Sequence, residues 1–137
     1  MKLTFGCGHL RTNSLDEILS RVNSNLAITD SRSVCGIEHL HQAATLSLSS
    51  HDSGFNLSKD KSTEVLLYLT SQRQISKALK LAGVNKDTKA VGWVYFGDSY
   101  PALSEIIAED DSVISIENYD FQRKMVESEI WIFKRNH

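Results

Sequence analysis

The sequence predicts an α/β (α+β) fold, a single-domain mixed β-sheet flanked by helices over residues 1–137. Three observations predict it. Apolar runs of strand length alternate with segments whose apolar residues recur at helical spacing. Two capping-box patterns, Ser14-x-x-Glu17 and Ser71-x-x-Gln74, stand at the head of such segments. Short connections around the C-terminal strands favour a mixed sheet over a purely parallel one. With 137 residues, 41% of them hydrophobic, the chain has the size and apolar content for one core.

The elements follow in order. Leu3 to Phe5 makes a short first strand. Leu15, Ile18, Leu19 and Val22 share one helical face behind the Ser14–Glu17 box. Asn25 to Thr29 is a second strand, closed by Asp30-Ser31. Val34, Ile37, Leu40, Ala44 and Leu48 mark a second helix with Ser33 as its cap. Ser47 to Lys61 is polar, contains Gly54 and predicts a loop. Val65 to Leu69 is a continuous apolar run that suits a strand buried on both faces. A helix from Gln72 to Ala82 follows, with Gly83 suited to the left-handed position after it. Ala90 to Phe96 is aromatic and β-branched, hence a strand, and Gly97-Asp98-Ser99 ends it. Ala102 to Ala108 predicts a helix with Pro101 in its first turn. Ser112–Ile116 predicts a strand, Asp120–Val126 a helix and Ile130–Phe133 a last strand.

Several function classes drop out early. No apolar run approaches the roughly 20 residues that span a bilayer. The start reaches Gly6 too soon for a signal-peptide core, so a cytoplasmic protein without membrane contact is expected. Cys7 and Cys35 make neither a disulfide framework nor a zinc pattern, and two free thiols in a reducing compartment are expected. The net charge of −2 gives no bulk argument for nucleic-acid binding. Its distribution is uneven, however. Residues 59–89 carry seven basic and three acidic side chains, and residues 98–130 carry nine acidic and two basic ones. Such asymmetry suggests two faces with different tasks.

A search for catalytic patterns finds no phosphate loop, nucleophile elbow or zincin motif. Gly6-Cys7-Gly8 opens like a dinucleotide fingerprint, but Arg11 stands where the third glycine belongs, and a turn explains it. His39 and His41 would share a face on a strand, whereas the predicted helix separates them and defeats joint metal coordination. His51 lies further on. Cys7 lacks an evident catalytic partner beyond His9, and a buried structural thiol is expected. Glu109-Asp110-Asp111 is expected to be a solvated turn at a helix end. No catalytic residue, cofactor or metal site is assigned.

The most informative stretch is the helix predicted at Gln72–Ala82. Ile75, Ala78, Leu79 and Ala82 form the stripe expected to face the sheet. Arg73, Lys77 and Lys80 recur on another face, and the helix supplies no acid to pair with them. A phosphate-tracking surface and an ordinary solvated face both fit that pattern.

The run from Thr63 to Leu79, Thr-Glu-Val-Leu-Leu-Tyr-Leu-Thr-Ser-Gln-Arg-Gln-Ile-Ser-Lys-Ala-Leu, resembles the signature of the small kinase-binding (TPRKB-like) subunit family of the KEOPS/EKC complex. Asn56-Leu57 ahead of it and Gly83-Val84 after it fit as well, and length and element order match over most of the chain. Ser71-Gln72 stand where the family often has a second basic residue or a glycine. The resemblance implies a non-catalytic adaptor that docks on the PRPK-type atypical kinase subunit. The complex makes threonylcarbamoyladenosine in tRNA, and the adaptor is implied to recruit the tRNA through its 3′ CCA end. Contact with tRNA is carried onto Arg73, Gln74, Ile75 and Lys77, with Lys80 and Asn56 as further candidates. In that role Ile75 is an apolar ledge under a base, while its helical stripe makes it a core residue. Two rivals remain: a protein-only scaffold that regulates the kinase, and a small α/β enzyme using Cys7 or the His39, His41 and His51 group.

Overall fold

The computed structural model describes residues 2–99 and 102–114. Four strands run at Leu3–Leu10 (β1), Leu26–Asp30 (β2), Ala90–Phe96 (β3) and Ile107–Glu109 (β4). Four helices run at Leu15–Arg21 (α1), Ile37–Ser53 (α2), Lys61–Thr70 (α3) and Ile75–Ala82 (α4), with single 3₁₀ turns at Ser31–Ser33 and Asp111–Val113. The strand order is β2-β3-β1-β4, and the fold is α+β, as the sequence predicts. Each pairing of these strands is antiparallel, so no parallel neighbour appears in the described sheet. β1 and β2 do run in one direction, because both oppose β3. They are not neighbours, since β3 inserts between them.

Alternation along the strands gives the sheet two apolar faces. On one, Cys7, Ala27, Val94 and Phe96 join Leu40, Ala44, Val65, Leu69, Ala78 and Ala82 of α2, α3 and α4. On the other, Leu26, Ile28, Val91 and Trp93 meet Ile18 of α1 with Leu103, Ile106 and Ile107. The Ser14 hydroxyl caps α1 by accepting from the Glu17 N–H at 3.2 Å. β3 matches its predicted bounds because an aromatic, β-branched run bounded by Gly97 has one good conformation.

The largest correction is at Val65–Leu69, which lies inside α3 and is not a strand. The helix sits against α2, α4 and the sheet, so nearly every position is buried and Tyr68 alone in that run is exposed. A helix buried all round loses its 3.6-residue signature. α2 runs on to Ser53 and closes at Gly54 (φ 77°), which shortens the expected Ser47–Lys61 loop to residues 54–60. Ser47 tolerates a helix interior because its hydroxyl donates to the Lys61 carbonyl, and Ser50 because its hydroxyl donates to the Glu64 carboxylate. Ser33 does not cap α2, since its hydroxyl turns back to the Asp30 carbonyl at 2.7 Å.

The Ser71–Gln74 capping box does not form. Ser71 adopts the left-handed conformation (φ 55°) that ends α3, and α4 starts at Ile75. Gly83 ends α4 with extended backbone, and any side chain there would crowd the Leu79 carbonyl. The predicted helix at Ala102–Ala108 is a turn over 104–106 followed by β4, which pairs with β1. Pro101 lies outside the described residues. The predicted Ser112–Ile116 strand is a 3₁₀ turn at Asp111–Val113, capped by Asp110. Ile116, the Asp120–Val126 helix and the Ile130–Phe133 strand lie outside the described residues. Gly6-Cys7-Gly8 is neither a turn nor a nucleotide loop but the middle of β1. A side chain at Gly8 would collide with the Ala108 carbonyl, so glycine is what lets β4 approach.

Candidate functional site

A groove of about 740 Å³ opens between the 54–60 loop and the α3–α4 junction. Leu46, Phe55, Leu57, Leu67 and Tyr68 give it apolar walls, and Arg73 stands at its lip. Phe55 and Leu57 are 80% and 60% exposed, unusual for large apolar side chains on a loop.

Glu64 holds this loop in place. Its carboxylate is buried and accepts from the Leu57 N–H (3.0 Å), the Ser58 N–H (2.9 Å), the Ser58 hydroxyl (3.0 Å) and the Ser50 hydroxyl (2.9 Å). Four donors converging on one carboxylate tie the loop to α2 and α3 together. The left-handed Ser71 turns the chain sharply after α3. Gln72 then falls into the groove lining, 6% exposed, and its side-chain Nε2 has no hydrogen-bond partner.

Of the six candidate residues, Arg73 lines this groove, and Asn56, Gln74, Ile75, Lys77 and Lys80 do not. Asn56 lies between two lining residues, and its side-chain amide donates to the Ser58 carbonyl at 2.8 Å, so it shapes the loop. Arg73 lies ahead of α4, not within it as predicted, and Gln74 occupies the N-cap position. Ile75 is 39% exposed and Leu79 49% exposed, so neither is a core residue. α4 packs mainly against α3, and only its Ala78 and Ala82 are buried. Lys77 and Lys80 are exposed on α4. Neither Arg73 nor Lys77 lacks a partner, which corrects the expectation of unpaired cations.

Sequence reasoning missed Glu64, Gln72, Tyr68 and Phe55. Glu64 had a signal, being the one acid at the head of an apolar run. Gln72 had none, because it was read as a helix position.

The alternative sites do not assemble. Cys7 is fully buried and donates weakly to the Asp110 carbonyl at 3.4 Å. Burial, aided by the nearby Asp111, Glu109 and Asp110 carboxylates, pushes its thiol up to about 11, so it carries no thiolate at neutral pH. His41 stacks on Phe5 with ring centroids 4.9 Å apart. His39 turns elsewhere, its Nδ1 accepting from the Cys35 N–H at 3.2 Å while the ring also bonds the Leu69 backbone. Burial depresses its pKa and keeps it neutral. His51 has its own buried Nε2 without a partner. Among the described residues no three His, Cys, Asp or Glu side chains gather as metal ligands.

The acidic run is also used within the fold. Glu109 accepts from the Trp93 indole at 3.1 Å. Asp110 accepts from the Ser112 hydroxyl (2.6 Å) and N–H (3.0 Å) and lies 3.0 Å from His9. The Ser112 bonds, then His9, hold the Asp110 pKa below its usual value. No helix among the described residues is long and apolar enough to cross a membrane.

Residues 10–131 match the protein family described as kinase binding protein CGI-121. Over 103 residues, 75% of this chain, the sequence is 31% identical to the KEOPS complex subunit Cgi121 of Pyrococcus abyssi (strain GE5 / Orsay). The match covers 57% of that protein, so the chain spans a little over half of its length.

Proposed function

Since the chain belongs to the CGI-121 kinase-binding protein family, we propose that it is a non-catalytic KEOPS subunit. It binds the complex's PRPK-type kinase and recruits tRNA through the 3′ CCA end, in the cytoplasm and for threonylcarbamoyladenosine synthesis. Family membership supports the complex and the kinase partner. One observation carries the tRNA part: Arg73, at the lip of an apolar groove, is followed within two residues by an exposed Ile75. A guanidinium pairs with phosphate or stacks on a base, and an apolar surface beside it supports an unstacked base.

Each proposed contact then has a task. Arg73 and Lys77 meet backbone phosphates, with Lys80 one turn further along α4. Gln74 and Ile75 stand at the start of α4, where first-turn N–H groups and the positive dipole end favour an anion. Asn56 acts through the loop it shapes, and its carbonyl oxygen remains open to a ligand. Non-catalytic action is supported by the buried, protonated Cys7 and by the separate engagements of His39 and His41.

A second reading, a protein-only scaffold, draws on a smaller groove of about 180 Å³ between α1, α3 and α4. Leu19 and Leu79 stand exposed beside it, a surface suited to another protein. The two readings part on RNA affinity. Mature tRNA and tRNA lacking its CCA end are titrated against the full chain at two salt concentrations. Recruitment predicts tighter, salt-sensitive binding to the intact tRNA, lost in Arg73→Glu. Equal, weak binding to both tRNAs leaves the protein-only scaffold.

A further inference from the structure

The groove contains a feature that neither the family match nor the recruiting role requires. A buried amide with no partner is rare in a folded protein, because its donor gives up water and gains nothing in return. Gln72 is more than nine-tenths buried, lines the groove, and its Nε2 has no protein partner. An acceptor atom supplied by an occupant would complete it.

The surroundings define that occupant. Phe55, Leu57 and Tyr68 offer flat or apolar walls, which suit an aromatic face. The volume of about 740 Å³ lies in the range that holds a nucleoside-sized group, roughly 300–1,000 Å³. Charge sets the orientation. Glu64 lines the groove as a carboxylate with its oxygens taken by four donors from the loop and α2. An anion is therefore unwelcome inside, while Arg73 at the lip attracts one. A neutral ring goes in and its phosphate stays out.

Resting on the recruiting role above, we propose that Gln72 reads the 3′-terminal base of the tRNA, donating from Nε2 to a ring acceptor of that base seated between Phe55, Leu57 and Tyr68. Glu64 is the positioning residue that holds the loop wall. The terminal phosphate sits at Arg73. Gln72 is thus a specificity residue kept at the expense of an unsatisfied donor in the free protein.

The test uses the full chain and a fluorescent single-stranded RNA ending in CCA. The terminal adenosine is replaced in turn by its 1-deaza, 3-deaza and 7-deaza analogues, each of which exchanges one ring acceptor for C–H. One of the three is expected to bind about tenfold more weakly than the natural RNA, the size of one lost hydrogen bond. The isosteric variant Gln72→Met is expected to bind the natural RNA about tenfold more weakly and to treat that analogue like adenosine. Its melting temperature without RNA is expected to rise, because an orphaned donor has been removed; a merely structural glutamine would lower it. Equal binding of all three analogues by the wild type overturns the base-reading role, even if CCA-ended RNA binds well. Failure of the wild type to bind the CCA end at all overturns the recruiting role and this inference with it.

Discussion

The groove beside α3 and the acidic turn at 109–111 are both rich in polar groups at the edge of the fold, yet they are built on opposite terms. At the acidic turn the carboxylates answer local donors: Glu109 the Trp93 indole, and Asp110 the Ser112 N–H and hydroxyl and His9. At the groove, one carboxylate is buried so that a loop can hold Phe55 and Leu57 in water, and a buried amide is left without a partner. The sequence marks both regions by charge, but charge alone does not separate them. What separates them is whether interactions are closed within the protein or left open for something else.

Removing the pin of the groove should have the largest effect. Glu64→Ala strands the Leu57 and Ser58 N–H groups and the Ser50 hydroxyl. The expected loss is about 3 kcal/mol or more, a fall of roughly 10 °C in melting temperature for a domain of this size. RNA binding should go with it, since the loop wall is no longer held. Asp110→Asn, at the acidic turn, should barely move the melting curve, because that carboxylate is solvated. Comparable losses from the two substitutions would erase the distinction between the regions.

Binding separates them next. Arg73→Glu should weaken CCA-ended RNA by tenfold or more and make the dependence of log Kd on log salt shallower by about one unit. Asp110→Asn should leave both unchanged. Anisotropy titrations at two or more salt concentrations check this.

The loop and the α3–α4 junction also show how much was legible. β3 and α1 could be read directly, because a strand bounded by glycine and a helix opened by Ser14 carry their signals locally. α3 could not, since burial on most sides replaced its periodic pattern with an unbroken apolar run. That one misreading displaced its neighbours. Ser71 was assigned to the start of a helix when it ends one, so Gln72 and Arg73 were read as helix positions, not as residues in and beside a groove. Arg73 and Lys77 are exposed, as basic side chains off the apolar stripe should be, whereas Ile75, placed on the sheet-facing stripe, proves exposed as well. Gln72 was invisible because only the tertiary fold shows that its amide is orphaned.

Acidity gives a smaller effect with a definite sign. Burial alone would raise Asp30, but the paired Arg32 side chain and N–H and the Thr88 hydroxyl hold it below its ordinary 3.8. Its contribution is full above that value and lost as pH falls below it. Burial lowers His39 below 6.5, so its contribution is full above 6.5 and lost as pH falls through the lower, folded value. Both make the protein less stable in acid. Urea midpoints at pH 7.5, 5.5 and about 3 should fall in order, and His39→Gln should flatten the first interval.

The smallest effect concerns the two thiols. Cys35, half-buried near His39, should take up iodoacetamide in the native state, while Cys7 should react only on unfolding. Mass spectrometry of pulse-labelled protein at pH 7.5 reads the difference, and equal labelling would contradict the closed character given to the acidic side.

The most direct measurement of the central claim is a backbone amide NMR titration of the full chain with a short RNA ending in CCA. The account predicts shifts concentrated at residues 55–58 and 68–77, with residues 107–113 unmoved. Shifts centred on residues 107–113, or none anywhere at concentrations where mature tRNA binds, would contradict it.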